Sequence, residues 1–367
     1  MQRARVLNMV LADLYGPQRL LTEGLLPPEL VFAHPHFLRP CHGIAVPGDQ
    51  HLILYAADLA RNPDGSWWVV NDRTQAPSGA GYALENRVVL SRMLPGLFRD
   101  CGVRRLATFF ARLRENLMRL APTASDNPRI VVLTPGPYNE TYFEHAYIAR
   151  YLGFPLVEGG DLTVRDNQVF LKTLGGLLRV DVILRRVDDT FCDPLELRGD
   201  SMLGVAGLVQ AAAAGQVTIA NPLGSGAVDG PALTAFIPAL CRALLGEELK
   251  LPSVASWWCG QPSELDYVLD NLDGLVVKPA FPGLDDGPVF GSHLSKASRE
   301  DLAERVKARP HHFVGQESVA LSTAPVWRDG ALTTRHVMLR AFVCATKDGY
   351  EVMPGGLVRG SAASDSM

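Results

Sequence analysis

Apolar residues recur at helical spacing between positions 4 and 23, with Val6, Met9, Val10, Leu14, Leu20 and Leu21 on the packing side, so the chain is expected to open on a helix that "GLLPPEL" ends. The pattern then shortens. "HLILYAADLA" (51–60) and "SWWVVND" (66–72) read as strands joined by "RNPDGS", where Asp64-Gly65 supplies a tight turn. A helix beginning near "GYALENRVVLSRMLPGLF" and a charged helical segment over 104–119 lead to the linker "APTASDNPR". Beyond it the rhythm becomes strand, helix, strand: "IVVLTPG" is short and continuously apolar, "YFEHAYIARYLG" is helical and ended by Gly153, and "DVILRR" is again a strand. Such alternation predicts a parallel sheet within residues 129–222. From 223 onward the pattern predicts a helix over 231–245, a strand at "GLVVKPA", a flexible loop, a helix over 296–308, a strand at "FVGQESV" and a hairpin at "VMLRAFVCATKDGYEVMPGGLVR". The expected units are therefore 1–128, 129–222 and 223–367 of one α/β chain that also carries α+β elements.

Composition narrows the choice of partners. With 367 residues, 47% hydrophobic and 20% charged, the chain has ample material for a core, and a net charge of -4 gives no general attraction to nucleic acid or to an anionic membrane. Small molecules or proteins are the expected partners. The six cysteines are scattered without a CxxC pair, which fits a reducing cytoplasm. The opening "MQRARVLNMVLADLYG" places Asp13 inside its apolar run and reads poorly as a signal peptide, and no apolar run reaches membrane-spanning length.

Several stretches ask for chemistry. In "GLVVKPAFPGLDDGPVFG", Lys278 ends an apolar strand before a Gly/Pro loop, where an ammonium can sit beside phosphate oxygens or simply enter solvent. "VGQESV" sets Gln316 and Glu317 at a strand edge, able to receive an adenine amino group and ribose hydroxyls, or to serve as an ordinary rim. Arg340 in "VMLRAFV" and Arg359 after "MPGG" suit the spread charge of a transferring phosphoryl group, the alternative being surface ion pairs. Ser78 lies in a turn with Gly79 and Gly81 and can bind an acid. "GPYNETYFEHAY" offers Asn139 and Glu140 for an amine or peptide, or a structural helix entry. His145 has no companion ligands and is assigned no metal; Cys41 beside His42 carries little weight as a nucleophile.

Taken together, "DLYGPQRLL", "GLLPPELVF", "DRTQAPSGAGYALENR", "PGPYNETYFEHAYIARYLGFPLVEGGDLTVRDN", "DVILRRVDD", "VVKPAFP", "VGQES" and "MPGGLVR" closely resemble the circularly permuted ATP-grasp proteins of type 2, and more distantly the synthetase domain of glutathionylspermidine synthase. The resemblance covers nearly the whole chain. It implies a circularly permuted ATP-grasp fold: 1–128 as the N-terminal part of the core, 129–222 as the substrate-side subdomain and 223–367 as the nucleotide lobe with the C-terminal strands. The implied activity is ATP-dependent joining of a carboxylate to an amine through an acyl phosphate, on a small-molecule or peptide acid. The alternative is a catalytically impaired module that binds nucleotide or peptide inside a larger assembly.

By the same resemblance, Lys278 is the phosphate-contacting lysine, Gly283 to Gly291, with Gly287, forms the lid, Gln316 and Glu317 form the nucleotide edge, and Arg359 neutralises phosphate, with Arg340 in the same strand system. Where relatives carry a second lysine, Asn221 aligns. Magnesium is implied at Asp58, Asn71 and Asp72, but Asn71 stands where relatives have Glu, and Arg73 where they have a liganding Asn. A guanidinium cannot ligate a cation. Arg73 is then expected either to donate to phosphate, as a catalytic group, or to tie Asp58 in a salt bridge between two strands. Relatives also extend further on both sides, so the helix containing Arg3 is expected to lack cover within the chain and to rely on a partner protein.

Overall fold

The structure, a computed structural model, describes residues 1–122, 127–283, 287–328 and 330–360. The opening helix runs Gln2–Leu14 and stops sooner than its periodicity suggests. Gly16 and Pro17 interrupt it, and the Asp13 carboxylate accepts the N–H groups of Arg19 and Leu20 at 2.9 Å each, starting a separate short helix, Arg19–Thr22. Its apolar side is covered from within the chain: Ala4, Val6, Leu7, Val10, Leu11 and Leu14 are at most 1% exposed. The helix Ile237–Leu245 packs on it, and the expected lack of cover is overturned.

Among the described residues, four sheets are distinguishable. An antiparallel five-stranded sheet runs in the order Thr323–Arg328, Ala331–Thr346, Leu54–Arg61, Trp67–Arg73, with Gly349–Gly360 paired along the free side of the long strand. A second antiparallel sheet orders Ser256–Trp258, Phe313–Glu317, Leu275–Pro279 and Val289–Phe290. The third is parallel, in the order Leu156–Val157, Ile130–Leu133, Val182–Arg185, Thr218–Ala220, as the strand-helix-strand alternation predicts. The fourth, a meander of Leu162–Arg165, Gln168–Thr173 and Gly176–Arg179, is not anticipated above. Its signal was nonetheless present: Asp166 and Asn167 both take positive φ, the conformation a two-residue hairpin turn demands.

Asn221 joins the parallel sheet to the five-stranded one. Its Oδ1 accepts the N–H groups of Ile53 and Leu54, both at 2.8 Å, while Nδ2 donates to the carbonyls of Leu54 (2.7 Å) and Thr74 (2.6 Å). The Asn221 side chain is thus buried and spent on backbone groups. Among the described residues, no helix is long and apolar enough to cross a membrane.

Candidate functional site

Register places the charged residues of the five-stranded sheet. Asp58 lies opposite Arg340 on one neighbouring strand and Asn71 on the other, Arg73 lies opposite Ala56, and Arg359 opposite Met338. Because side chains alternate between faces, Asp58, Asn71, Arg73, Arg340 and Arg359 share one face. Asp72 takes the other. There its carboxylate receives Arg3 Nε at 2.7 Å, Arg3 Nη2 at 2.6 Å and the Tyr55 hydroxyl at 2.5 Å, all buried.

On the shared face Asp58 is nearly fully enclosed by arginines. Arg340 donates from Nε to Oδ1 (2.6 Å) and from Nη2 to Oδ2 (3.0 Å), a bidentate pair, and Arg73 Nε donates to Oδ2 at 3.2 Å. Burial alone would raise the Asp58 carboxyl, but Arg340 and then Arg73 overcome it and hold the group below the usual carboxylate range. Arg340 also donates from Nη1 to the Ser78 carbonyl at 3.0 Å. This anchors the turn before the helix Ala80–Met93.

That turn is held from its other side by Glu144, on the helix Tyr142–Leu152. The Glu144 carboxylate is buried and accepts the N–H of Gly79 at 2.7 and 2.8 Å and that of Gly81 at 2.9 Å. Gly79 has a φ of +112°, and a Cβ there would meet Leu357 at 2.8 Å, so only glycine fits. Arg186 Nη2 adds a bond to the Pro77 carbonyl at 3.1 Å.

Two adjoining cavities lie over this face. One, of 510 Å³, is lined by Arg73, Ser78, Glu140, Arg340 and Arg359 among others; the second, of 280 Å³, includes Asn71 and Lys278, and both share Arg73, Asp229 and Pro282. Lys278 reaches in from the second sheet, its Nζ 2.5 Å from Gln316 Oε1, and burial, aided by Arg73, pushes it down to about 8. Asp229 accepts the Thr74 N–H at 3.3 Å and faces Arg73 at 3.9 Å; burial pushes its carboxyl up to about 7. The two cavities bring Arg73, Arg340, Arg359 and Lys278 together beside Glu140, Asp188 and Asp229, with Asp58 already paired to Arg340 and Arg73.

The other sequence candidates fall in several places. Gln316 is buried and, besides meeting Lys278, donates to Ser256 Oγ at 3.0 Å, whereas Glu317 is exposed at the strand end beside it. Gly283 and Gly287 flank residues 284–286, so the central part of the expected lid lies outside the described residues. Asn139 caps its own turn, its Oδ1 accepting the Thr141 N–H at 2.9 Å and hydroxyl at 2.6 Å, and does not line the cleft cavities; Glu140 lines the larger one at an exposed position. His36, Asp188 and Asp229 line the cavity without having been singled out. The strings "HPH" and "RRVDD" hold the first two, and Asp229 lies in "GAVDG".

The expected magnesium ligands do not form a set. Asp72 faces away and is saturated, Asp58 has both oxygens committed to guanidiniums, and Asn71 alone supplies one neutral oxygen. Among the described residues there is no group of three or more His, Cys, Asp or Glu side chains disposed to hold a metal ion. This donor set does not fit magnesium, which favours carboxylate oxygen.

Two antiparallel sheets bordering a cation-lined cleft, beside a parallel subdomain, define a mixed α/β architecture. The chain belongs to the circularly permuted ATP-grasp type 2 family, whose profile matches residues 1–361. It is 46% identical over 356 residues to the uncharacterized protein Rv2567 of Mycobacterium tuberculosis, covering 97% of this chain and 40% of that protein. It is 38% identical to the uncharacterized protein sll0335 of Synechocystis, covering 98% of this chain and 74% of that one. The chain thus spans about two fifths of the mycobacterial relative's length. Among solved structures, a glutathione synthetase-like effector, GSS30, from Globodera pallida in its apo form shares the fold with a TM-score of 0.56 at 12% identity, covering 98% of this chain and 84% of that one.

Proposed function

We propose that the chain is an ATP-dependent carboxylate–amine ligase, with ATP phosphates received by Lys278, Arg73, Arg340 and Arg359. The observation that carries this reading is the convergence of those four cations on two adjoining cavities. Three are guanidiniums and one is an ammonium, and of these Arg340 is buried and Lys278 half-buried, where a cation offsets more phosphate charge than it would in water. The substrate carboxylate attacks the terminal phosphorus, a P–O bond to it forms, the bond to the ADP oxygen breaks, and an acyl phosphate results. An amine then displaces phosphate from the acyl carbon and the amide forms. Ser78 and Glu140, on the rim of the larger cavity, are suited to hold the acid and the amine, a peptide or amino-acid-like pair. No step is routed through magnesium, because the donors here do not present a site for it. The cysteines of the described residues are free thiols, which suits work in a reducing compartment.

A second reading is favoured by one observation, the closure of Asp58 between Arg340 and Arg73. In it the cleft binds nucleotide or peptide without turnover, inside a larger assembly. Titration with ATP, followed by a hydroxylamine-trapping screen over a panel of amino acids and dipeptides, separates the two. Binding with ATP-dependent hydroxamate from at least one acid supports the ligase; binding with no hydroxamate and no ADP supports the module; absence of ATP binding overturns the ligase and the nucleotide form of the module.

A further inference from the structure

At the floor of the larger cavity lies a side-chain pair that the phosphate-binding groups leave unused. His36 Nδ1 is 2.7 Å from Asp189 Oδ1, and Asp189 is fully buried. The pair is rigidly mounted. The Tyr15 hydroxyl meets the His36 carbonyl at 3.2 Å, the His36 N–H donates to His34 Nδ1 at 3.1 Å, and Asp189 Oδ1 also accepts the Thr190 N–H at 2.8 Å.

The shorter contact, to Asp189, sets which ring nitrogen carries the proton, with the Gln75 side-chain amide 3.1 Å from the same Nδ1. An ionised carboxylate only accepts, so the neutral imidazole carries its hydrogen on Nδ1, toward Asp189, and its lone pair on Nε2. With Nδ1 occupied, and with His36 lining the cavity that Arg73, Arg340 and Arg359 also line, Nε2 is the nitrogen left for a ligand. Of the other carboxylates lining this cavity, Asp229 takes the Thr74 N–H and faces Arg73, while Asp188 and Glu140 stand at exposed positions.

We infer that His36 is the general base of the amide-forming step, with Asp189 as its positioning residue; this rests on the ligase reading above. The neutral amine attacks the acyl carbon of the acyl phosphate and a C–N bond forms. As the nitrogen becomes cationic it gives one proton to Nε2. The C–O bond to the phosphoryl group then breaks, inorganic phosphate leaves, and the imidazolium returns its proton to solvent. Formation of the acyl phosphate moves no proton and has no need of His36. Burial works to lower the His36 imidazolium, but the hydrogen bond and charge of Asp189, with Asp188 and Asp229, raise it net above the usual histidine range; His34, whose ring lies 5.8 Å away and tilted by 51°, is pushed down to about 3 by burial.

The test separates the two half-reactions in the full chain, using the acid that yields hydroxamate in the screen above. Hydroxylamine is largely unprotonated at neutral pH and needs no base, whereas a primary amine does. His36→Gln is expected to keep ATP-dependent hydroxamate formation within about threefold and to lose amide formation with a primary amine by about a hundredfold or more. The same variant loses the rising limb of the amide pH profile. Asp189→Asn moves that limb to lower pH without abolishing it. If the wild-type chain makes no hydroxamate from any acid, the ligase reading falls and the base with it. If it does, and His36→Gln retains amide formation with an unchanged pH limb, the base assignment alone is overturned. Should the variants not fold, carbethoxylation of the wild-type chain decides: His36 must react more slowly when ATP is bound and at a rate comparable to exposed His42 when it is not, and an unreactive His36 in the free chain overturns the proposal.

Discussion

Arg340 and Asp58, 282 residues apart in sequence, meet directly across neighbouring strands and form a bidentate pair with both partners buried. Arg73 closes the remaining side. The pair both fastens two strands and sets the electrostatics of the cleft, and its removal has a clear consequence. Arg340→Ala leaves a buried carboxylate with only the longer Arg73 contact, so urea denaturation is expected to show a loss of about 3 kcal/mol. Asp58→Asn combined with Arg340→Met is expected to cost less than Arg340→Ala alone, because no charge is stranded. Equal losses for the two would mean that the pair is not coupled.

The pH dependence of this pair follows from its sign. The folded-state carboxyl of Asp58 lies below its ordinary value, so its contribution to stability is fully present above the ordinary carboxylate range and is lost as pH falls through the depressed folded value. Melting temperatures measured downward from pH 6 should fall more steeply in the wild type than in Asp58→Asn. Parallel curves would remove Asp58 from the acid limb.

A reversal of the metal-site substitutions tests why magnesium donors are missing. Asn71 is on the same face as Asp58, and Arg73 holds one of the oxygens a metal would need. Asn71→Glu with Arg73→Asn therefore adds one carboxylate, one amide oxygen and one freed lone pair on Asp58. Calorimetry is expected to show magnesium affinity at least about tenfold above wild type, or about 1.4 kcal/mol. No gain in an intact fold would mean that these positions do not surround a common point.

Much of the fold was legible because its signals are local. The apolar strand Ile130–Leu133, the helix ended by Gly153 and the parallel pairing that follows all rest on short-range periodicity. The meander over 162–179 was overlooked although its Asp166-Asn167 turn was available. The site was legible only in part. Arg340 and Arg359 could be singled out as cations on strands, but the pairing of Arg340 with Asp58, and the placing of Arg359 on the same face, depend on register between strands far apart in sequence, which periodicity does not encode. Asp72 shows the same limit, since one step along a strand moves a side chain to the opposite face, where it meets Arg3. Asp189 and His36 are separated by 153 residues, and nothing in "HPH" announces a carboxylate partner.

Glu144 offers a test of the turn that frames the cleft. Its carboxylate is the acceptor for two backbone N–H groups at the start of the helix Ala80–Met93, at 2.7 to 2.9 Å, in a buried setting. A charged acceptor there also complements the positive end of the helix. Glu144→Ala is expected to cost about 2 kcal/mol and to increase hydrogen exchange at Gly79 and Gly81. Loss of stability without faster exchange at those two amides would place the effect elsewhere.

Lys278 gives the most direct reading of the nucleotide proposal. In the free chain burial, with Arg73 adding to it, brings its ammonium down to about 8, so the group is mostly charged at pH 7 and mostly neutral at pH 9. A bound phosphate favours the charged form. ATP binding is therefore expected to take up a proton in the region of pH 8 to 9, and its affinity to fall as pH rises through about 8, by at most tenfold per unit. Lys278→Ala should abolish that proton uptake and weaken ATP by about tenfold to a hundredfold, while the fold stays intact, because the residue lies near the end of the strand Leu275–Pro279. Calorimetry in buffers of different ionisation enthalpy measures the uptake directly. The same protonation change in wild type and Lys278→Ala would exclude Lys278 as the phosphate contact, even if ATP itself still bound.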